Sequence, residues 1–464
     1  MTKRRRMDKI KARNKKQVDF SQGKILFPII AFSMPVLIGN IFSALYNVVD
    51  SVIVGKFVGS YALAAVNASF AITMMCTAVY AGFGMGCAVL IGQLYGAKQY
   101  GELNKAAATA LLGAAAVGAT MSVIGILASK PILLLINTPS DIIGQADIYL
   151  KIILCGCASQ VLYFMGSGLI RALGDSKTPM YFLVICAVIN IILDIVFIVF
   201  FDMKCAGVAL ATLIAQTFSA VLVVRQILTG NYGITLTRKE WKIDLGMLKR
   251  ILKVGIPRAI QQLADSIGLL VIQSFANSFG TDFVAVNGII QKMDTFALLP
   301  MRAVGETVTM FNAQNLGAGK YSRIREGNRK SMGMTFLIGL AIGLFFFFEV
   351  DVIFNLFLSK SDPSYAIILK MGRECVRVLT FFYTVYGIQQ VLSAIMAGIG
   401  DTRSVMVIGI ICIVIRVVLT YCLAMPAKQY QNLFWATNIY NLLFMAGTFI
   451  CYKFKTKKWE QKNA

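Results

Sequence analysis

Long apolar stretches alternate with short polar segments along the chain, and this pattern predicts helices that cross a membrane. Several stretches exceed the ~20 residues that span a ~30 Å hydrocarbon layer, for example Met180 to Phe201. Membrane-spanning strands would instead alternate apolar and polar residues over only about ten positions. The twelve predicted spans are 25–53, 61–82, 103–128, 141–168, 178–200, 206–228, 254–279, 283–311, 331–350, 365–395, 404–424 and 432–452. The sequence therefore predicts an all-α membrane protein with twelve transmembrane helices.

Composition agrees with this prediction, and the placement of charge sets the orientation. The chain is 57% hydrophobic and 14% charged, whereas soluble domains are about 45–50% apolar and about 25% charged. Its net charge of +23 lies mostly in alternate polar segments, which hold 32 Lys and Arg against five on the opposite side. Because positively charged loops stay in the cytoplasm, we expect both termini there and the chain in the plasma membrane. This placement explains the charge without a nucleic-acid partner.

The basic segment 1–24 precedes an apolar run that is too long for a signal peptide and lacks a small-residue cleavage site. We therefore expect it to stay as a cytoplasmic tail near anionic lipid. The chain has no histidine, which removes the usual general base and the commonest ligand of catalytic zinc. It also lacks a P-loop pattern. These features disfavour an enzyme or an ATP-driven pump, and no cofactor is expected.

An internal repeat divides the chain into two halves. Four pairs of segments match: those around Pro35 and Pro257, "AVNASF" and "AVNGII", "QLYGAKQY" and "QNLGAGKY", and "LGDSKT" and "IGDTRS". Their offsets are 222, 220, 221 and 226 residues, so the copies run nearly in register. The paired Gly-Ala and Gly-Asp elements fall on cytoplasmic loops, where small residues permit tight turns.

The repeat predicts the domain organisation. We expect a basic tail over 1–24, an N-lobe over 25–228, a cytoplasmic linker over 229–248, a C-lobe over 249–452 and a second tail over 453–464. Six helices is an even number, so both lobes enter the membrane in the same direction, as in transporters built from parallel repeats. Such transporters bind substrate between the halves and rock them around the site.

Carboxylates inside predicted spans mark the candidate site of the first half. A charged carboxylate in a membrane costs free energy, so Asp50 and Asp194 are expected to face a cavity that binds ions, protons or cationic substrates. Asn190 precedes Asp194 by four residues, and Tyr46 precedes Asp50 by four, so each pair shares a helix face. Thr212 can add a hydroxyl from the sixth span. The alternative for Asp50 is a solvated helix end near Lys56.

If these faces converge, the cluster has two natural uses. Two carboxylates in a dry site cannot both stay charged, so one takes up a proton. Alternatively, an oxygen-rich nest holds a small hard cation such as Na+ at Asp50, Asn190, Asp194 and Thr212. Either occupant changes the local charge and can bias two conformations.

The second half has a different polar set. Asp265 and Asp294 either attract a cation or pair structurally, while Arg302 and Glu306, four residues apart, can pair with each other. Arg416 occupies the repeat position of Asn190, so the first-half cluster is not duplicated. The remaining members of the set are Lys292 and the aromatic residues Phe381, Phe382, Tyr383 and Tyr386, which line a cavity or pack between helices.

At these residues the sequence resembles the multidrug and toxic compound extrusion (MATE) family over about residues 25 to 452. The segments that carry the resemblance are "MPVLIGNIFSALYNVVDSVIVG", "QLYGAKQY", "RALGDSKTPM", "NIILD" and their second-half echoes. The resemblance implies a V-shaped pair of six-helix lobes. It also implies an antiporter that exports organic cations in exchange for inward H+ or Na+ by alternating access. The implied partners are a cationic, amphipathic small molecule and the bilayer, with the protein a monomer.

The resemblance assigns the family's first-lobe cation site to Asp50, Asn190, Asp194 and Thr212, with Tyr46 close by. Pro35 matches a proline at which the first helix of some members bends, which is reasonable because a mid-helix proline removes a backbone hydrogen bond.

In the second lobe the NorM-like branch carries two acids. Asp265 stands for the first, but Tyr386 falls where the second would be, so the sequence is closer to the DinF-like branch. Asp265, Asp294 and Tyr386 are then candidates for the substrate cavity. A flippase or exporter of lipid-linked saccharide or polysaccharide is the alternative function, kept open by Lys292, Arg302 and Arg416.

Overall fold

The protein was analysed as a computed structural model that describes residues 17–463, apart from 231, 233, 235, 237–239, 362, 425 and 427–428. The predicted basic tail therefore lies largely outside the described residues, as does part of the linker. The described residues form fourteen α-helices: α1 Leu26–Ile53, α2 Ser60–Gly96, α3 Tyr100–Leu135, α4 Ile143–Cys155, α5 Cys157–Ala172, α6 Lys177–Ile195, α7 Lys204–Thr229, α8 Leu245–Asn277, α9 Thr281–Ala297, α10 Leu299–Gly317, α11 Tyr321–Phe357, α12 Tyr365–Gly398, α13 Thr402–Ala424 and α14 Gln431–Asn463.

Each predicted span lies on one of these helices or on a broken pair. Within the described part of the chain, nine helices are individually long and apolar enough to cross a membrane, and the bent pair α4–α5 makes a tenth. The other two predicted spans fall on α8 and on α9–α10. Both carry several charged side chains, which keeps them below the apolar criterion.

Two predicted spans are interrupted. The fourth bends by 44° between α4 and α5 at Gly156, the residue type with the lowest helix propensity after proline. The eighth is split between α9 and α10 just before Pro300. Proline has no N–H and its ring clashes with the carbonyl four residues earlier, so the helix is interrupted there.

By contacts between residues the chain divides into two compact units. Unit 1 comprises 1–23, 34–259 and 313–319, and unit 2 comprises 24–33, 260–312 and 320–464. The divisions inside α1 and α8 fall within three residues of Pro35 and Pro257, the repeat-related prolines. The lobe boundaries given above stay a prediction.

The paired Gly-Asp elements form helix-starting turns. Gly174 and Gly400 adopt φ of +92° and +84°, the left-handed region that suits glycine. Asp175 accepts hydrogen bonds from the backbone N–H groups of Lys177 and Thr178, both at 3.0 Å, at the start of α6. It also accepts one from the hydroxyl of Tyr232, at 2.9 Å, so it ties the linker to α6 within unit 1.

Asp401 starts α13 in the same way. It accepts a hydrogen bond from the backbone N–H of Ser404 at 3.2 Å and forms an ion pair with Lys455 at 2.6 Å. Burial of Asp401 opposes its ionisation, but the hydrogen bonds from Lys455 and Ser404 outweigh this and lower its pKa. Stabilisation by this carboxylate is therefore present at neutral pH and is lost only as the pH falls below about 3.9.

We expect Asp175→Ala to lower the free energy of unfolding by about 2 kcal/mol, because it removes a helix cap and leaves the Tyr232 hydroxyl without its acceptor. Denaturant titration in detergent micelles measures this change. Tyr232→Phe, which removes the hydroxyl's hydrogen bonds with Asp175 and Gln226 but keeps the helix cap, is the matched variant and should cost about 1 kcal/mol. Equal stability of Asp175→Ala and wild type would contradict this account of the turn.

A close backbone approach within unit 1 depends on two glycines. A Cβ atom at Gly96, the last residue of α2, would overlap the carbonyl oxygen of Gln314, and one at Gly317 would overlap that of Gln93. The side chain of Gln314 reinforces the approach by accepting the N–H of Phe20 at 3.0 Å and donating to the carbonyl of Ala172 at 2.8 Å. These contacts explain the two matching Gly-Ala elements of the repeat as packing residues.

Candidate functional site

The first-half polar residues come together inside unit 1. Asp50 lies in the last turn of α1, Asn190 and Asp194 lie one turn apart on α6, and Thr212 lies on α7. Asn190, Asp194 and Thr212 are buried, with 1%, 0% and 4% of their surface exposed. Because the rest of α6 is hydrophobic, the face that carries Asn190 and Asp194 lies in the protein interior. Three helices thus contribute to one polar cluster.

The side-chain amide of Asn190 links Asp50 to α7. The orientation of an amide is assigned from its hydrogen bonds. With its nitrogen toward α1, Asn190 donates to Asp50 Oδ1 at 3.2 Å. Its oxygen then accepts from the hydroxyl and the backbone N–H of Thr212, both at 3.3 Å. In this orientation the amide nitrogen faces an acceptor and the amide oxygen faces donors.

The carboxyl groups of Asp50 and Asp194 lie within reach of each other. A carboxylate has no donor, so a hydrogen bond between them forms only when one of the two carries a proton. Among the described residues, Asp194 Oδ1 has no hydrogen-bond partner although it is buried. The structure thus places Asp50 against Asp194 and does not show it as a solvated residue beside Lys56.

Two tyrosines border the carboxyl pair. Tyr46 is hydrogen-bonded to Thr212 and lies within electrostatic reach of Asp50. Tyr149, on α4, is 9% exposed and lies within electrostatic reach of both Asp50 and Asp194. Tyr149 is not among the predicted site residues, although it is a tyrosine inside a predicted span, at "DIYLKI".

Both carboxylate-bearing helices continue into a π-helical turn. Val54–Val58 follows α1 directly, and Val196–Phe200 follows α6. Asp50 and Asp194 therefore precede these turns by four and two residues. Such turns are uncommon and often accompany functional sites, because their wider backbone pairing re-aims nearby side chains.

The donor set of this cluster suits two occupants. A carboxyl pair can take up a proton, and the carboxylate, amide and hydroxyl oxygens are the ligand types that a hard monovalent cation prefers. With Asp194 Oδ1 unpartnered, the cluster has an oxygen available to a cation.

The candidate residues of the second half lie within unit 2 and pair with tyrosines. Asp294 accepts a hydrogen bond from the hydroxyl of Tyr383 at 2.7 Å. Asp265 accepts one from the hydroxyl of Tyr440 at 3.4 Å. Tyr383 and Tyr440 are buried, at 0% and 8% exposed, so these carboxylates border a phenol-lined interior. Tyr440 is not among the predicted site residues.

Basic side chains lie in the same region of unit 2. Arg302 donates from Nε to the hydroxyl of Tyr386 at 3.3 Å and attracts Glu306 and Asp265. The Arg416 guanidinium lies 5.5 Å from the ring centre of Tyr440. Lys292 lies apart from this group and stacks on Phe357, 5.1 Å from the ring centre. Arg302 thus interacts with the phenol of Tyr386 as well as with Glu306, the partner predicted by the four-residue spacing.

Known proteins resemble this chain over most of its length. The MatE family profile matches residues 35–196 and 257–422, one segment in each half of the repeat. "Probable multidrug resistance protein YoeA" of Bacillus subtilis (strain 168) is 28% identical over 389 residues, covering 82% of this chain and 83% of the relative. "Multidrug export protein MepA" of Staphylococcus aureus (strain NCTC 8325 / PS 47) is 23% identical and covers 69% and 71%.

Solved structures share the fold. One described as the "outward-facing conformation of a multidrug resistance MATE family transporter of the MOP superfamily" has a TM-score of 0.89 at 22% identity, covering 96% of this chain and 99% of that chain. A second, a MOP superfamily transporter from Pyrococcus furiosus, has the same TM-score and coverage. The predicted fold class is confirmed, and the chain belongs to the MATE family of membrane transporters.

Proposed function

We propose that this transporter is a secondary antiporter that exports amphipathic organic cations across the plasma membrane in exchange for inward H+ or Na+. The observation that supports it most is the cluster of the half-buried Asp50 with the buried Asn190, Asp194 and Thr212, in a chain whose relatives are named multidrug proteins. Buried carboxylates in a membrane are costly and are kept where they bind ions or protons.

Coupling follows from the charge of this cluster. A proton or Na+ at the carboxyl pair lowers its net negative charge, so an occupied and an empty site favour different arrangements of α1, α6 and α7. An ion shifts a conformational equilibrium only through its different affinity for the two states. Tyr46 and Thr212 hold the side chains at this site, and Pro35 provides the bend of α1 in the cycle.

Substrate recognition is assigned to unit 2. Asp265 and Asp294 border the proposed substrate cavity with their charges balanced by Arg416 and Arg302, and Tyr386 offers an aromatic surface on which a cationic substrate can stack. The further parts of the proposal are a DinF-like branch, cytoplasmic termini and a monomer. The lipid-linked saccharide alternative has no observation in its favour, since the relatives named above are multidrug proteins.

The test is efflux of a cationic dye from proteoliposomes under an imposed pH gradient and, separately, an imposed Na+ gradient. We expect dye efflux under one of the two gradients, and the gradient that drives efflux identifies the coupling ion. The efflux rate should fall sharply when an ionophore dissipates that gradient. Protein that is folded by its thermal melting profile but transports no dye with either gradient would contradict the proposal.

A further inference from the structure

Carboxylates inside membrane-spanning segments need a positive counter-charge or a proton, and the two units meet this need differently. In the described part of unit 1, the side chains that act on Asp50 and Asp194 are each other, Asn190, Tyr46 and Tyr149. None of these side chains carries a positive charge, so a positive charge must come from outside the chain.

In unit 2 the counter-charge belongs to the chain. The Arg416 guanidinium attracts both Asp265 and Asp294. It lies against the ring of Tyr440, whose hydroxyl donates to Asp265, so arginine, tyrosine and carboxylate form a connected series. Arg302 adds a second positive charge that acts on Asp294 and Asp265.

The internal repeat places Arg416 at the position of the first-unit cluster. With the offset of 226 residues that relates the two Gly-Asp elements, Asn190 corresponds to Arg416. By the same offset, Asp194 corresponds to Thr420 and Thr212 corresponds to Asn438. Thr420 and Asn438 are buried at 0% and 5% exposed. Asp50, at the offset of 222 residues set by the paired prolines, corresponds to Ile272. The second unit thus keeps two buried polar positions, lacks both carboxylates and has a fixed cation where the first has an amide.

We propose that Arg416 is a tethered counter-cation, which permanently occupies in unit 2 the role that the exchangeable coupling ion has in unit 1. This inference rests on the proposed function. It implies that the transporter has one exchangeable cation site, because an arginine keeps its charge throughout any physiological pH range. Removing the guanidinium leaves Asp265 and Asp294 short of positive charge, and they then recruit a proton or Na+.

The charged and titratable groups facing Arg416 come from several helices. They are Asp265 on α8, Asp294 on α9 and Tyr440 on α14, while Arg302 on α10 and Tyr383 on α12 act on Asp294. Arg302 remains in every variant below, so it is a constant background.

The experiment counts the monovalent cations bound by purified, folded protein, as protons taken up on acidification and as radioactive sodium bound at fixed pH. The variants are Arg416→Gln, Arg416→Lys and, as a matched control, Arg377→Gln, which removes an exposed arginine of the same unit. We expect Arg416→Gln to bind about one more cation per chain than wild type. The lysine variant and the control should match wild type, because each keeps the positive charge at position 416.

An unchanged count in folded Arg416→Gln overturns the proposal. If this variant does not fold, the triple variant Asp265→Asn, Asp294→Asn, Arg416→Gln decides. A counter-cation becomes dispensable once its carboxylates are neutral, so restored folding supports the proposal and continued failure to fold overturns it. Dye efflux by wild type separates this outcome from the proposed function, because the cation count does not depend on whether the protein exports a dye.

Discussion

We expect Asp50→Asn and Asp194→Asn each to lower the initial rate of gradient-driven dye efflux by about 100-fold, near the upper range of coupling energies between sites. Asparagine nearly matches aspartate in shape but cannot take up the exchangeable proton, and it removes a charged ligand for Na+. Asp194 is buried and the half-buried Asp50 lies against it, so the loss of either carboxyl group removes part of the charge change on which the proposed coupling depends. Reconstituted protein in proteoliposomes gives the rates.

Asp202→Asn is the matched control, since Asp202 is exposed and lies eight residues after Asp194. It should retain wild-type efflux. Dye binding to the variants separates coupling from recognition, and we expect it to be retained in Asp50→Asn because the aromatic surface assigned to the substrate lies in unit 2. Efflux at the wild-type rate from Asp50→Asn would rule out coupling at this cluster.

The second large effect is expected at Gly96. Alanine is ordinarily the better helix residue, yet Gly96→Ala should lower the free energy of unfolding by about 3 kcal/mol, because its Cβ would overlap the backbone oxygen of Gln314 and force α2 away. Backbone atoms cannot move aside as a flexible side chain can. Denaturant titration in detergent micelles measures the loss.

Gly101→Ala provides the comparison, since it makes the same change in the first turn of α3 where a Cβ meets no atom within 4 Å. We expect the stability of this variant to stay unchanged or to rise by up to about 1 kcal/mol. If Gly96→Ala behaves as Gly101→Ala does, the close approach does not constrain the fold.

The sequence by itself determined the all-helical membrane fold and its internal repeat. Crossing the bilayer requires long apolar runs, so the signal lies in each segment separately, as in 178–200. The repeat pairs Pro35 with Pro257 and "LGDSKT" with "IGDTRS", and it is visible without structure because both copies kept their turn residues. Helix spacing also placed Asn190 and Asp194 on one face.

Only the tertiary structure decided which polar residues meet. The contact of Asp50 with Asp194 joins residues 144 positions apart, and Tyr149 enters the same cluster from α4. Gly156 and Pro300 lie at breaks between helices, whereas Pro35 lies inside a continuous helix, so the residue type alone does not locate the breaks. Periodicity fixes the face of a helix, whereas the neighbour on that face is set by packing between distant segments.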